Sequence, residues 1–187
     1  MEGNSCSSDG REGESVEFSG ISLRPFDLSD VDDFMEWAAH DKVTQYSSWG
    51  PLTSKEEGLH FIQKSVTQPW LKSICLDDKS IGLISVTVQP GCNRCRAEIG
   101  YVLGSKYWGK GITTYVVKLV VNAIFWEWPH LERLEAHVDV ENFASQRVLE
   151  KAGFQRECAL KKFCILGGKT RDMVLFSFLS NDEFHTS

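Results

Sequence analysis

The chain has 187 residues, of which 42% are hydrophobic and 25% charged. That is enough for one domain with a sizeable core, and short for two. The net charge of −6 argues against nucleic acid or an anionic membrane as the main partner. The longest apolar stretch, Tyr115 to Phe125, is broken by Lys118 and Asn122 and is too short for a bilayer. The N-terminus lacks the basic and apolar regions of a secretory signal. The expected location is therefore the cytoplasm, with the nucleus as the alternative.

Residues 1–19 are rich in Gly, Ser and Glu, and read as a disordered acidic tail. Glu2, Asp9, Glu12, Glu14 and Glu17 against Arg11 give this segment a net charge of −4, most of the chain's balance. The domain proper is expected over residues 20–180. Ile21–Pro25 reads as a short strand. Ser29 then caps a helix through Val31, Phe34, Met35 and Ala38. Thr53, with Glu56 as capping-box partner, opens a second helix through Leu59, Ile62 and Val66, which Pro69 stops. Leu71–Leu76 and Ile81–Val88 form a hairpin about Asp77-Asp78, and Arg96–Leu103 follows the Pro90-Gly91 turn. A glycine-rich loop, Gly104 to Gly111, leads into an apolar helix from Ile112 to Trp126, ended by Pro129. Leu134–Val140 is a strand, and Asn142 caps a helix reaching Ala152. Gly153 supplies its left-handed end. Strands near Gln155–Leu160 and Asp172–Phe178 close the chain.

The helix between the strands at 96–103 and 134–140 implies parallel pairing there, and the early hairpin implies antiparallel pairing. The fold class is α/β: a mixed sheet with helices on both faces. The six cysteines are spread through the chain without an export signal, so reduced thiols are expected. Cys92-Asn-Arg-Cys95 has no second ligand pair for zinc and sits at a hairpin tip, so it reads as a turn.

A strand, a glycine-rich loop and a long helix in succession make an anion site. Amides at a helix start point outward unpaired, and the dipole favours negative charge. Gly109 and Gly111 let the backbone approach a phosphate, and Lys110 adds a cation. The alternative is a tight turn that simply needs glycine. A magnesium-nucleotide P-loop requires Ser or Thr where Gly111 stands, and a dinucleotide fingerprint requires Gly where Thr114 stands. Both fail at a residue their chemistry requires.

Lys106-Tyr-Trp-Gly109-Lys-Gly111 resembles the coenzyme A diphosphate loop of the GNAT superfamily of N-acetyltransferases, Gln/Arg-x-x-Gly-x-Gly/Ala. Asn142-Phe-Ala-Ser145, followed by a helix and Gly153-Phe154, resembles its second hallmark, and Ala97 to Val102 resembles the strand before the loop. The likeness covers about residues 20 to 180 and is nearest the ribosomal-protein N-terminal acetyltransferase subgroup. Lys106 stands where the family has Gln or Arg. Thr113 and Tyr115 stand where the subgroup often has Ala and Glu.

The resemblance implies a GNAT-type, mostly antiparallel central sheet and an acetyl-CoA-dependent N-acetyltransferase with no metal. It implies direct attack by a primary amine, on a protein N-terminus or a small molecule, in a ternary complex. The alternative is a catalytically weak acyl-CoA-binding regulatory module of the same fold. A monomer or weak homodimer is expected. The resemblance places the diphosphate on Gly109, Lys110, Gly111, Ile112, Thr113 and Thr114. It runs the pantetheine arm along Tyr101, Val102 and Leu103, with a backbone N–H near Val102 polarising the thioester carbonyl. Asn142 would help hold the arm, and Ser145 would protonate the leaving thiolate. Glu98 is the first candidate base and His137 the second. Each also reads as structural: Glu98 as a hydrogen-bonded carboxylate, His137 as a solvated strand residue, Ser145 as satisfying local backbone. Tyr46, Trp49 and the loop around Pro51 stand where the family lines its acceptor side, though aromatic packing explains them equally.

Overall fold

The structure is a computed structural model that describes residues 18–182. The first strand, β1 (Ile21–Arg24), leads to a 3-10 turn over Leu28–Asp30 and helix α1 (Val31–Ala38). Asp27, not Ser29, makes the cap. Its carboxylate accepts from the Ser29 N–H at 2.8 Å, and the Asp30 carboxylate accepts from the Asp27 N–H at 2.8 Å. Arg24 then clamps Asp30 through two bonds of 2.7 Å, fixing the end of β1 to the start of α1.

A one-turn helix, α2 (Asp41–Thr44), was not expected from the sequence. Helix α3 (Lys55–Ser65) starts later than expected, because Ser54 is its cap and Glu57, rather than Glu56, reaches back to the residue before the cap. The Ser54 Oγ accepts from Glu57 N, and Glu57 accepts from Thr53 N at 2.7 Å. Strands β2 (Leu71–Leu76) and β3 (Lys79–Val88) meet at Asp77-Asp78, both with positive φ, 49° and 67°. That is the two-residue turn whose twist suits a hairpin. Strand β4 (Arg96–Leu103) follows a 3-10 turn at Gly91–Asn93 that carries Cys92. All five cysteines among the described residues are free; Cys6 lies outside them.

Helix α4 (Ile112–Glu127) crosses to β5 (Arg133–Asp139), and α5 (Phe143–Lys151) follows. Gly153, at φ 89°, ends α5 as the sequence implies. The last strands, β6 (Gln155–Leu166) and β7 (Lys169–Leu179), are much longer than expected and meet at Gly167-Gly168, φ 55° and 74°. Among the described residues seven strands run in the order β1-β2-β3-β4-β5-β7-β6, and of their pairs only β4 with β5 is parallel. The sheet is thus mixed and mostly antiparallel.

Helices α4 and α5 bury Val116, Val120, Ile124 and Leu149 against Ile99, Leu134 and Phe176. On the other side Phe34, Trp37 and Ile62 of α1 and α3 pack with Leu83 and Val102. Trp49 belongs to this second cluster, its ring 5.2 Å from Phe61, so it is a packing residue. Residues 1–17 of the expected tail lie outside the described residues. Phe18, at the end of the expected tail, packs on the domain: its ring stacks on Tyr115 at 4.3 Å and 8°. No helix among the described residues is long and apolar enough to cross a membrane.

Candidate active site

The site begins where two parallel strands stop pairing. β4 and β5 share only three rungs, Arg96 with Arg133, Ala97 with Leu134 and Glu98 with Glu135. Beyond Glu98, β4 stays on β3 as far as Leu103, and β5 stays on β7 as far as Asp139. Each strand is held by its other neighbour, so the pair diverges into a wedge-shaped gap. The inner edge of β4 therefore offers main-chain groups to a ligand rather than to β5.

Register decides which groups those are. Gly104 N–H donates to the Ile81 carbonyl on β3 at 2.8 Å. Strand amides alternate sides, so Val102 also turns its N–H to β3, while Tyr101 and Leu103 face the gap. The amides near Val102 that can meet a ligand are those of its neighbours.

At the gap's mouth, β4 passes through a 3-10 turn (Ser105–Tyr107) into α4. Gly109 and Gly111 take φ of 76° and 77°, the left-handed region that disfavours side chains. A β-carbon at Gly109 would meet nothing within 4 Å, so the backbone there is open. Gly111 is the α4 cap residue and no side chain caps the helix, leaving the first-turn amides of Ile112, Thr113 and Thr114 for an anion. Lys110 lies 5.7 Å from the centre of the Tyr107 ring. Lys106 turns aside to Glu36, at 3.4 Å, a carboxylate also held by Lys79.

On the far wall, Asn142 caps α5 by accepting from Ser145 N at 3.2 Å. Its amide oxygen is thereby used, and its N–H donors remain. The Ser145 carbonyl accepts from the Tyr101 hydroxyl at 3.2 Å, a bond joining β4 to α5. Burial holds the Tyr101 phenol well above its ordinary range. Among the described residues no hydrogen bond engages Ser145 Oγ.

At the apex of the gap the two candidate bases form one unit. His137 Nδ1 lies 3.1 Å from Glu98 Oε1. An ionised carboxylate only accepts, so Nδ1 carries the proton and Nε2 is the free nitrogen. The hydrogen bond to Glu98 raises the imidazole pKa above its usual value, against a smaller lowering by burial. Phe163, from β6, stacks on the imidazole at 4.7 Å and 17° and fixes its plane. The Glu98 side chain is 41% exposed and that of His137 16% exposed, so the pair is reachable from outside. Beneath it, the buried Glu135 is held by Arg133 at 2.6 Å and Arg96 at 3.2 Å. Tyr46 reaches the Glu141 carbonyl at 3.4 Å, tying the segment after α2 to the loop before α5.

Sequence reasoning named Glu98 and His137 as candidate bases but not their contact, because no spacing signals it. It missed Phe163 because β6 was expected to end at Leu160. It also missed Phe18, whose ring lies 3.6 Å from a β-carbon placed on Gly111.

Residues 21–155 match the model of the acetyltransferase (GNAT) domain. The chain belongs to the GNAT acetyltransferase family. This GNAT enzyme is similar to p20, an uncharacterized N-acetyltransferase of Bacillus licheniformis, with 28% identity over 87% of this chain and 94% of p20. Among solved structures it is similar to a GNAT-family acetyltransferase from Bacillus anthracis, with a TM-score of 0.76 and 26% identity over 85% of this chain and 94% of that one. It also resembles the ribosomal-protein α-N-acetyltransferase RimL in complex with coenzyme A, with a TM-score of 0.75 and 22% identity. That likeness covers 86% of this chain and 94% of RimL and shows the fold. The enzyme is an N-acetyltransferase. Among the described residues no group of three His, Cys, Asp or Glu side chains is placed to hold a metal ion.

Proposed function

We propose that this enzyme transfers the acetyl group of acetyl-CoA to a primary amine by direct attack in a ternary complex. The observation that carries the reading is the divergence of β4 from β5 directly before an uncapped, glycine-cornered helix start. A thioester on a long amide-bearing arm with a diphosphate at its end fits both features at once. The diphosphate sits on the amides from Gly109 to Thr114, with Lys110 beside it. The arm pairs with the exposed edge of β4 through the main-chain groups of Tyr101 and the N–H of Leu103, past Val102, and the Asn142 amide donates to one of its carbonyls.

The acceptor arrives as an ammonium ion and must lose a proton to attack. His137 Nε2 takes that proton, and Glu98 orients the ring and stabilises its charged form. The amine nitrogen then bonds to the thioester carbon while a β4 amide facing the gap supports the developing oxyanion. The carbon–sulfur bond breaks, and the proton still carried by the new amide nitrogen passes through Ser145 Oγ to the leaving thiolate, so the hydroxyl ends as it began. No cysteine nucleophile is needed, since no His pairs with Cys158 or Cys164 among the described residues.

A curated relative, the putative ribosomal N-acetyltransferase YdaF of Bacillus subtilis, 31% identical over 57% of each chain, supports a protein amine as the acceptor, here taken as the α-amino group. An α-amino group needs less help than a lysine, its pKa being about 8 rather than about 10.4. A thiol-release assay with acetyl-CoA tests the reading over peptides with free N-termini, the same peptides with blocked N-termini and internal lysines, and small amines. Turnover on free N-termini only is expected. Turnover confined to small amines would replace the acceptor assignment. Tight coenzyme binding with no turnover on any amine would favour a regulatory acyl-CoA-binding module.

A further inference from the structure

The mouth of the β4/β5 gap holds one group that the mechanism above does not use. The peptide between Leu103 and Gly104 is locked against β3. Its N–H donates to the Ile81 carbonyl at 2.8 Å, and a β-carbon on Gly104 would crowd that same carbonyl at 3.2 Å and Trp37 at 3.1 Å. A trans peptide points its carbonyl opposite to its N–H. The Leu103 carbonyl therefore points away from β3 and into the gap, where it would be the last acceptor on the strand edge before the diphosphate loop.

That acceptor is already taken. The 3-10 turn at Ser105–Tyr107 reverses the chain, and Trp108 Nε1 donates back to the Leu103 oxygen at 2.7 Å. A bond this short, reaching back five residues, places the indole at the junction of gap and loop. The residue is nevertheless 43% exposed. Lys42 Nζ of α2 lies 5.2 Å from the centre of its ring, so the indole also links α2 to the loop before α4. A large apolar ring left open beside a ligand groove, with its only polar atom satisfied, is a contact surface for an apolar part of that ligand.

We propose that Trp108 is a positioning residue for the coenzyme arm. Its N–H removes the Leu103 carbonyl from the ladder that the arm makes with β4, which fixes where that ladder ends. Its ring is the shelf for the branched apolar segment that joins the arm to the diphosphate. The proposal rests on the coenzyme reading given above and adds to it a residue outside the diphosphate contacts.

Calorimetry with two ligands tests this: coenzyme A, and 3′-phosphoadenosine 5′-diphosphate, which keeps the diphosphate and lacks the arm. Trp108→Ala is expected to weaken coenzyme A by about tenfold and to leave the nucleotide fragment unchanged. Trp108→Phe, which keeps a ring and loses the N–H, should lie between wild type and Trp108→Ala for coenzyme A and match wild type for the fragment. It carries the test if Trp108→Ala does not fold. Equal weakening of both ligands would mean that Trp108 merely holds the loop in shape, and would overturn the proposal. So would unchanged binding of coenzyme A in both variants. Failure of the wild-type protein to bind either ligand would overturn the coenzyme reading itself, a result visible before any variant is made.

Discussion

Replacing Gly111 by valine separates what the backbone contributes from what the ligand needs. Gly111 sits at φ 77° and ψ −2°. A left-handed conformation costs an L-residue about 1–2 kcal/mol, and a β-branched one sits at the upper end. The new β-carbon would stand 3.6 Å from the Phe18 ring, ordinary contact, so no clash adds to that cost. The expected stability loss is about 2 kcal/mol, or a fall in melting temperature of about 4–8 °C for a chain of this size. The effect on the coenzyme is larger. Each hydrogen bond from an amide to a charged phosphate contributes about 1.5–3 kcal/mol. Losing two of them amounts to about 4 kcal/mol, or about a thousandfold in affinity. Gly91→Val is the control, since Gly91 has φ 65° with open space around it and lies at the β3–β4 turn. It should lose similar stability and bind acetyl-CoA as wild type does. Calorimetry with acetyl-CoA, beside thermal unfolding of both variants, reads the two effects separately. A Gly111→Val protein that is folded and binds acetyl-CoA like wild type would refute the reasoning.

The Glu98–His137 pair makes the rate depend on pH in a defined direction. The raised imidazole pKa puts the acid limb of kcat/KM above the ordinary histidine value, with activity growing as the pH climbs through it. Glu98→Gln removes the leading cause, so the limb should move to lower pH while kcat falls by about a hundredfold or more; an unmoved limb would show that the pair is not the titrating unit. Asn142→Asp keeps an acceptor for the α5 cap and loses the amide donors. Thermal stability should hold while acetyl-CoA binding weakens, whereas Asn142→Ala should also cost about 1 kcal/mol of stability. Arg133 and then Ser177 hold the Glu157 carboxyl down at about 2. A lowered carboxylate stabilises the fold above its unfolded pKa and loses that contribution as the pH falls. Melting temperature should therefore drop as pH falls from about 5 toward 2, less steeply in Glu157→Gln; parallel curves would remove Glu157 from the acid response.

Local chemistry was legible where one residue type has one use. Asp77-Asp78 between apolar runs gave the hairpin, Asn142 the α5 cap, and Gly153 the left-handed helix end. The glycine corner before α4 was readable as backbone geometry, since Gly109 and Gly111 both take the left-handed φ that side chains disfavour. Choices between near neighbours were not readable. Asp27 and Ser29 are both good caps, and the clamp of Arg24 on Asp30 decides between them. Strand β6 is an edge strand exposed on nearly every residue, with irregular register near Cys158 and Cys164, so no alternation marks its full length. Long-range pairs leave no trace in spacing at all. Glu98 meets His137 because two parallel strands share their last rung beside it. Phe163 covers the ring because a hairpin returns there. Trp108 finds Leu103 because a 3-10 turn doubles the chain back.

The most direct test is a crystal structure of this enzyme with acetyl-CoA. The diphosphate should lie within hydrogen-bond distance of the amides from Gly109 to Thr114, with the thioester in the gap between β4 and β5 near the Glu98–His137 pair. An empty helix start, or a coenzyme lodged on another surface, would contradict the account.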